Sequence, residues 1–291
     1  MLIEDIKISP IFYMGNKKKL IAKGLVNYFP DNIHTFVDLF AGSAVVSMNV
    51  QAKKYIVNDL NEHLYSFYNM FSTISSGDII KKIESNIKRF SLNKTGVKQN
   101  TTEAEIFKPR YVAMRRYANK TKNILDLYSC MFYAFSQQMR FNNKGDFNMP
   151  FGNRAFTDKN KTYIKNGCNF FSNQTVKISN KDFRKLRIQS LNSNDFLYID
   201  PPYFNTTATY NENGGWTLKD EYDLYDFCER LDNSGIRFAL SNVFTNKGMT
   251  NSHLIDWVGK QGYDVHFFDE FTYAACGKGN AKTAEVLITN Y

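Results

Sequence analysis

Cysteine is scarce in this chain and poorly placed for joint work. Cys130, Cys168, Cys228 and Cys276 stand dozens of residues apart, which excludes the paired spacing of a structural zinc site. The 4 histidines are equally scattered, so no metal centre is expected, and each cysteine reads as a small core or surface residue. No uninterrupted apolar run is long enough to span a bilayer. The opening residues, Met1-Leu2-Ile3-Glu4-Asp5, lack the basic region and apolar core of a secretory signal. No internal repeat or low-complexity tract is present. These absences lead to the expectation of a soluble, reduced, cytoplasmic protein with no membrane partner.

Proline is also rare, with 6 in 291 residues. Hydrophobic residues make up 43% and aromatics 15% of the chain, enough to bury one substantial core and a smaller module. The net charge of +9 points to a polyanionic partner, against the plainer reading of a generally positive surface.

Two of the prolines adjoin, in Asn194-Asp195-Phe196-Leu197-Tyr198-Ile199-Asp200-Pro201-Pro202-Tyr203. Phe196 to Ile199 is a short apolar run that reads as a buried strand. Consecutive prolines can continue neither a ladder nor a helix interior. Each also holds the residue before it in extended geometry. The result is a stiff corner at the carboxyl end of a strand, where open α/β sheets bind ligands. It offers a carboxylate (Asp200), carbonyls at Pro201 and Pro202 with no competing amide donor, and the aromatic face of Tyr203. Those parts suit a flat ring carrying an exocyclic amine. The bland alternative is a Pro-Pro turn, but this tetrapeptide arises by accident in roughly one chain in a thousand of this length.

Upstream, Thr35 to Phe40 reads as a strand containing an acid, Asp38. Ala41-Gly42-Ser43-Ala44 is a tight small-residue turn, Val45 to Ala52 a helix, and Tyr55-Ile56-Val57 a second strand ending in Asn58-Asp59. Strand, small-residue turn, helix and strand-end acid form a half-Rossmann signature for an adenosine-containing ligand, with Asp59 placed for ribose hydroxyls. No lysine of the P-loop kind follows the turn, which favours a nucleoside over a triphosphate and disfavours a nucleotide hydrolase. Before it, Asn16 is placed to cap a helix whose stripe (Leu20, Ile21, Leu25, Val26) stops at Pro30. Lys17, Lys18 and Lys19 in its first turn oppose the helix dipole. Either they are a solvated cluster, or one meets a carboxylate or phosphate beside Tyr13 and Gly15.

Residues 61–175 differ in character. His63 to Phe71, Ile79 to Phe90, Arg110 to Tyr117 and Asp126 to Gln138 read as helices, and Asn153 to Thr175 as a loop. Within Arg140-Phe141-Asn142-Asn143-Lys144-Gly145-Asp146-Phe147-Asn148-Met149-Pro150-Phe151-Gly152, Asn-Lys-Gly reads as a hairpin tip. A basic residue, amides and aromatics together can read base edges. This region is expected to be an inserted, mostly helical nucleic-acid-contacting domain, against the alternative of a lid or packing subdomain. Val176 to Ser179 resumes strand character and leads to Asp182-Phe183, either an adenine-binding pair or an N-capped turn. Phe204 to Gly215 is a polar loop long enough to close over a substrate. Thr217 caps a helix through Asp232; three strands (236–241, 265–268, 284–289) and a helix near 252–260 follow.

In this order of parts the chain resembles Dam-type DNA adenine-N6 methyltransferases, the α-group of amino-methyltransferases, over nearly its whole length. The resemblance rests on Tyr13-x-Gly15-x-Lys17, the Phe40-Ala41-Gly42 turn, Asp200-Pro201-Pro202-Tyr203, and the Gly145-Asp146-Phe147-Asn148-Met149-Pro150-Phe151-Gly152 run. It implies an α/β, Rossmann-like S-adenosylmethionine-dependent methyltransferase sheet (1–60 and 176–291) with an inserted target-recognition domain (61–175) containing a β-hairpin. S-Adenosyl-L-methionine would lie on Tyr13, Lys17, Asp38, Phe40, Gly42, Ser43, Asp59 and Asp200, with Asp182 and Phe183 around its adenine. Asp200, Pro201, Pro202 and Tyr203 would hold a flipped adenine. Gln138, Arg140, Asn142, Asn143, Lys144, Asn148 and Pro150 would meet double-stranded DNA, with Arg140 reading guanine in GATC or a related short site. A monomer is expected, as is a cognate restriction endonuclease acting on the same site. Two departures from the family pattern stand out: Ala44, where glycine is commoner, and Phe135-Ser136-Gln137-Gln138-Met139 in place of an Asn-Gly-rich run. A cytosine-N4 methyltransferase, with Ser more usual at the Asp200 position, and a silent DNA-binding protein are the competing readings.

Overall fold

Strands buried on both faces must be apolar at nearly every position, and Phe36-Val37, Phe196 to Ile199 and Phe238 to Leu240 meet that demand at the centre of one sheet. A computed structural model describes residues 6–204, 215–246, 248–268, 271–272 and 282–291. The strands are β1 (Ile33–Asp38), β2 (Ala52–Asn58), β3 (Val176–Ser179), β4 (Phe196–Ile199), β5 (Arg237–Asn246), β6 (Met249–Thr250), β7 (Asp264–Phe267), β8 (Phe271–Thr272) and β9 (Lys282–Thr289). Their order is β3-β2-β1-β4-β5-β9-β7, with β6 beside β5 and β8 beside β9. β3, β2, β1, β4 and β5 are mutually parallel, whereas β9 runs antiparallel between β5 and β7. The winding reverses between β1 and β4, so the carboxyl ends of these two strands border the crevice that such a sheet offers to ligands.

Side chains alternate between the two faces. Val37, Leu39, Leu197, Ile199, Phe238 and Leu240 pack with α7 (Leu218–Asn233) and α8 (Ser252–Gln261). Phe36, Phe196, Tyr198, Ala239 and Leu287 pack with Leu20, Ile21 and Leu25 on the other face. Between β2 and β3 lie five helices, α2 (Glu62–Thr73), α3 (Ser76–Arg89), α4 (Thr102–Thr121), α5 (Ile124–Met131) and α6 (Asp158–Phe171). They build a third apolar cluster that reaches the sheet through Ile11, Ala41, Ala44 and Val57.

Several local expectations are corrected. The helix expected from Asn16 to Phe29 is only α1 (Lys18–Ala22), with Lys17 at its N-cap, followed by a 3-10 turn at Leu25–Tyr28. Gly24 at φ 94° breaks it. The helix expected over Val45 to Ala52 is a single 3-10 turn, Ser47–Asn49; Ala44 at φ 57° precedes it, and Val45, Val46 and Val50 are poor helix formers. α5 stops at Met131 rather than Gln138 because Ala134 is already extended and bridges Phe151, and Ser136 and Gln137 beyond it take positive φ; α4 runs well past Arg110 to Tyr117 on both sides. The loop expected over Asn153 to Thr175 contains α6, started by a Thr157/Asn160 capping box. Gly167 lets that helix lie against Pro10, since a Cβ there would come within 2.4 Å of the proline ring. The substrate-closing loop and Cys276 fall on 205–214 and 276, outside the described residues. Among the described residues no helix is long and apolar enough to cross a membrane.

Candidate active site

β4 carries Asp200 to the crevice on the same face as Phe196 and Tyr198. There its carboxylate meets Lys17, delivered from the start of α1: Nζ lies 2.9 Å from Asp200 Oδ1. The Tyr203 hydroxyl is 3.0 Å from the same oxygen, and Lys17 Nζ donates to that hydroxyl at 2.7 Å. A fourth member comes from β9. Glu285 Oε1 lies 3.4 Å from Lys17 Nζ and 3.3 Å from the Tyr203 hydroxyl. Lys17 and Glu285 are buried, and Asp200 is 17% exposed at its side chain. Burial raises the Asp200 carboxyl above its usual range, Lys17 pulls it back, and the Glu285 charge raises it again. Pro201 is buried; Pro202 and Tyr203 are half-buried.

The neighbouring strand ends supply two more acids. Asp38, at the end of β1, accepts from Ser47 Oγ at 2.6 Å. Burial pushes its carboxyl up to about 7, with Ser47 opposing and the Asp200 charge adding to the rise. Asp59, just past β2, accepts from the amides of Gly42 and Asn61 at 2.8 and 2.9 Å, and burial raises it to about 6 against those two bonds. The small-residue turn between these acids is closely built. Gly42 has φ 53°, and a Cβ there would sit 3.3 Å from the Tyr13 ring. The Gly42 carbonyl accepts from Tyr68 and the Ser43 carbonyl from Ser9. Asn58 Nδ2 bonds the carbonyls of Leu39 and Lys181, and Asn180 Nδ2 that of Asp59, which stitches the ends of β1, β2 and β3 together.

Phe40 and Phe183 have ring centroids 5.6 Å apart, and Trp216 lies within 6 Å of both. Asp182 caps the turn holding Phe183, accepting from the Arg184 amide at 2.9 Å. Its carboxylate is also paired with the Arg184 guanidinium, which reaches Asp220 and Asp223 of α7 as well. Of the two readings of Asp182-Phe183, an adenine-binding pair or an N-capped turn, the capped turn is present, with Phe183 packed against Phe40 and Trp216 and Asp182 held by Arg184. Lys17 brings together Asp200, Tyr203 and Glu285, while Tyr13, Gly42, Ser43 and Asp59 form a separate part around the turn.

The expected nucleic-acid residues share one narrow hairpin, closed by isolated bridges (Ala134–Phe151, Phe141–Phe147) rather than a regular ladder. Gly145 at φ 71° makes its tip, and Asn142, Asn143 and Lys144 are exposed there. Arg140, also exposed, donates through Nε to Asn148 Oδ1 at 2.8 Å and through Nη2 to the Asn148 carbonyl at 3.3 Å. Pro150 is exposed and Gln138 half-buried. Phe141 stacks on His63 of α2 with centroids 3.5 Å apart, and Asn119 of α4 grips both backbone groups of Phe147. Sequence reasoning passed over Glu285, Trp216 and Ser47. Glu285 alone had a signal: like Asp38, it is a lone acid inside an otherwise apolar strand.

Fold and crevice together define an α/β methyltransferase of the Rossmann-like kind. The family model for D12 class N6 adenine-specific DNA methyltransferases matches residues 13–266, and the chain belongs to that family. It is similar to the modification methylase StsI of Streptococcus sanguinis, 37% identical over 290 residues, covering 97% of this chain and 43% of StsI. It is similar to the type II methyltransferase M.FokI of Planomicrobium okeanokoites, 36% identical over the same shares. A DNA adenine methylase of Vibrio cholerae is 25% identical over 246 residues, 79% of each chain. The chain therefore spans less than half the length of StsI and of M.FokI.

Proposed function

We propose that this chain transfers a methyl group from S-adenosylmethionine to N6 of an adenine flipped out of double-stranded DNA. The observation that carries the reading is the cluster at the β4 corner, where the buried Lys17 ammonium pairs with Asp200 beside the Tyr203 ring. S-Adenosylmethionine, when bound, supplies an electrophilic methyl on a sulfonium. The residues fit it. Gly42 keeps the turn free of a side chain where the Tyr13 ring lies against it, Asp38 and Asp59 put carboxylates at the two strand ends, and Phe40, Phe183 and Trp216 offer apolar rings for a base. Tyr13, Lys17 and Ser43 complete that wall, and Asp182 positions Phe183.

The rest is work for the protein's own groups. The amine of adenine is delocalised into its ring and is a poor nucleophile. Asp200 Oδ and the Pro201 carbonyl accept its two hydrogens, which favours a pyramidal nitrogen with a directed lone pair. Tyr203 stacks on the base, and flipping is needed because this geometry is unreachable inside the duplex. Residues 61–175 act as target-recognition region, with Arg140 reading guanine in GATC or a related short site. The chain works as a monomer in the cytoplasm, beside a restriction endonuclease of the same specificity.

Base-resolution methylation mapping of plasmid DNA from a methylation-deficient host expressing the chain tests this. N6-methyladenine in GATC supports chemistry and Arg140 readout together, and another motif keeps the chemistry while assigning altered readout to Gln137 and Gln138. N4-methylcytosine or no modification overturns the proposal. Asp200→Ala is expected to abolish methylation while retaining most DNA binding, measured on the same plasmid and by gel shift.

A further inference from the structure

The cluster at the β4 corner contains one acid more than the proposed chemistry uses. Lys17 Nζ carries three donors, and Asp200, Tyr203 and Glu285 each lie within 3.4 Å of it. With Asp200 as its sole counterion, Lys17 would neutralise the carboxylate that must accept hydrogens from the substrate amine. A second buried carboxylate within 3.4 Å of Lys17 shares the ammonium, so Lys17 does not lie wholly on Asp200 and the Asp200 oxygens keep acceptor capacity for the amine. Glu285 also offers the Tyr203 hydroxyl an acceptor other than Asp200, at 3.3 against 3.0 Å. That frees a lone pair on Asp200 when the ring moves over a base.

We infer that Glu285 is a positioning residue for methyl transfer, one that draws Lys17 and Tyr203 partly away from Asp200 and so keeps that carboxylate available to the amine. This rests on the methyl-transfer reading above. Among the described residues, the titratable groups acting on Asp200 include Lys17 from the start of α1, Tyr203 from the corner itself, Tyr198 from β4, Asp38 from β1 and Glu285 from β9. Among them Glu285 and Asp38 are the like charges that raise the Asp200 carboxyl. Removing the Glu285 charge therefore lowers the protonation midpoint of Asp200.

The test compares purified wild type, Glu285→Gln and Glu285→Asp on unmethylated plasmid DNA with S-adenosylmethionine. Glu285→Gln is expected to lower kcat roughly tenfold to a hundredfold, to leave KM for DNA within about twofold, and to move the acid limb of the kcat profile to lower pH. Glu285→Asp, which retains the charge on a shorter arm, recovers part of kcat and keeps the limb near its wild-type position. A purely structural Glu285 would instead lower thermal stability without moving the limb, and that result, or unchanged kcat, overturns the inference. Carbon-13 carboxyl NMR of Asp200 gives a readout independent of turnover: its midpoint falls in Glu285→Gln if the coupling is real. Were the wild type itself to transfer no methyl, the functional proposal would fail, and the NMR midpoint would still show whether Glu285 acts on Asp200.

Discussion

Ala44 and Ser136 both stand at left-handed backbone, φ 57° and 53°, a conformation that glycine and asparagine adopt more readily. An L-residue there costs about 1–2 kcal/mol, yet the consequences of relieving it differ. The Ala44 methyl is wholly buried, and burying it is worth about 0.8 kcal/mol. Glycine adds a further entropic penalty of roughly 0.5–1 kcal/mol. Ala44→Gly is therefore expected to be within about 1 kcal/mol of neutral, so alanine is tolerated at the turn after β1. Ser136 is exposed and loses no burial, so Ser136→Gly is expected to stabilise by about 0.5–1 kcal/mol; denaturant unfolding of both variants checks the contrast. Asp38 makes a prediction of another kind. A carboxyl raised to about 7 by burial favours the folded state fully below its unfolded value, and that contribution is lost as pH rises through 7. Asp38→Asn removes the titration, so its stability relative to wild type should climb between pH 4 and 7, by up to about 4 kcal/mol. Melting temperatures across that range decide it, and a flat difference would contradict the burial argument.

The hairpin that bears Arg140 has too few ladder bonds to hold itself, so neighbouring helices must fix it. Asn119 bonds Phe147 N–H and C=O at 2.9 and 3.0 Å, and Tyr111 and Arg115 hold the Met149 carbonyl. Asn119→Ala strips both bonds from Phe147 and is expected to cost about 1–3 kcal/mol. It should also weaken discrimination between cognate and altered sites more than it weakens total DNA binding, which competition binding measures. Such dependence shows why some elements were legible in sequence and others were not. β4 and its corner announce themselves locally, through an apolar run stopped by Pro201-Pro202. Asn-Lys-Gly marks the hairpin tip in the same way. α6 does not: Asp158 to Phe171 is full of Asn, Lys and Gly, and its helix depends on burying Ile164, Cys168 and Phe171 in the shared cluster. At Ser47 to Asn49 the Rossmann pattern predicts a helix, but Ala44 at positive φ and three valines oppose it and only a short turn forms. Glu285 was visible as an acid in an apolar strand, but its meaning lies in Lys17, from the opposite end of the chain.

A chain with 37 basic and 28 acidic residues attracts any polyanion, so charge alone cannot select a site. The fold separates the charges: acids (Asp38, Asp59, Asp200 and Glu285) gather at the strand ends, whereas the hairpin exposes its cations and amides. Lys144 stands at the exposed tip, with its backbone amide held by Asn142 Oδ1 at 2.9 Å, so the loop is shaped by its own side chains. Arg140 is held differently: Asn148 occupies two of its five donors, and under the proposed function the rest of the planar fork meets a base edge. The two variants should then diverge. Lys144→Ala is expected to weaken binding evenly across sequences and to reduce the slope of log affinity against log salt by about 1. Arg140→Ala should cost about 1–3 kcal/mol on the preferred site and little elsewhere, flattening the difference between cognate and non-cognate duplexes. Binding titrations at several salt concentrations on both duplexes resolve the two effects. Equal losses on both duplexes for Arg140→Ala would make it a backbone contact, and the reading of sequence would then pass to other residues of the hairpin.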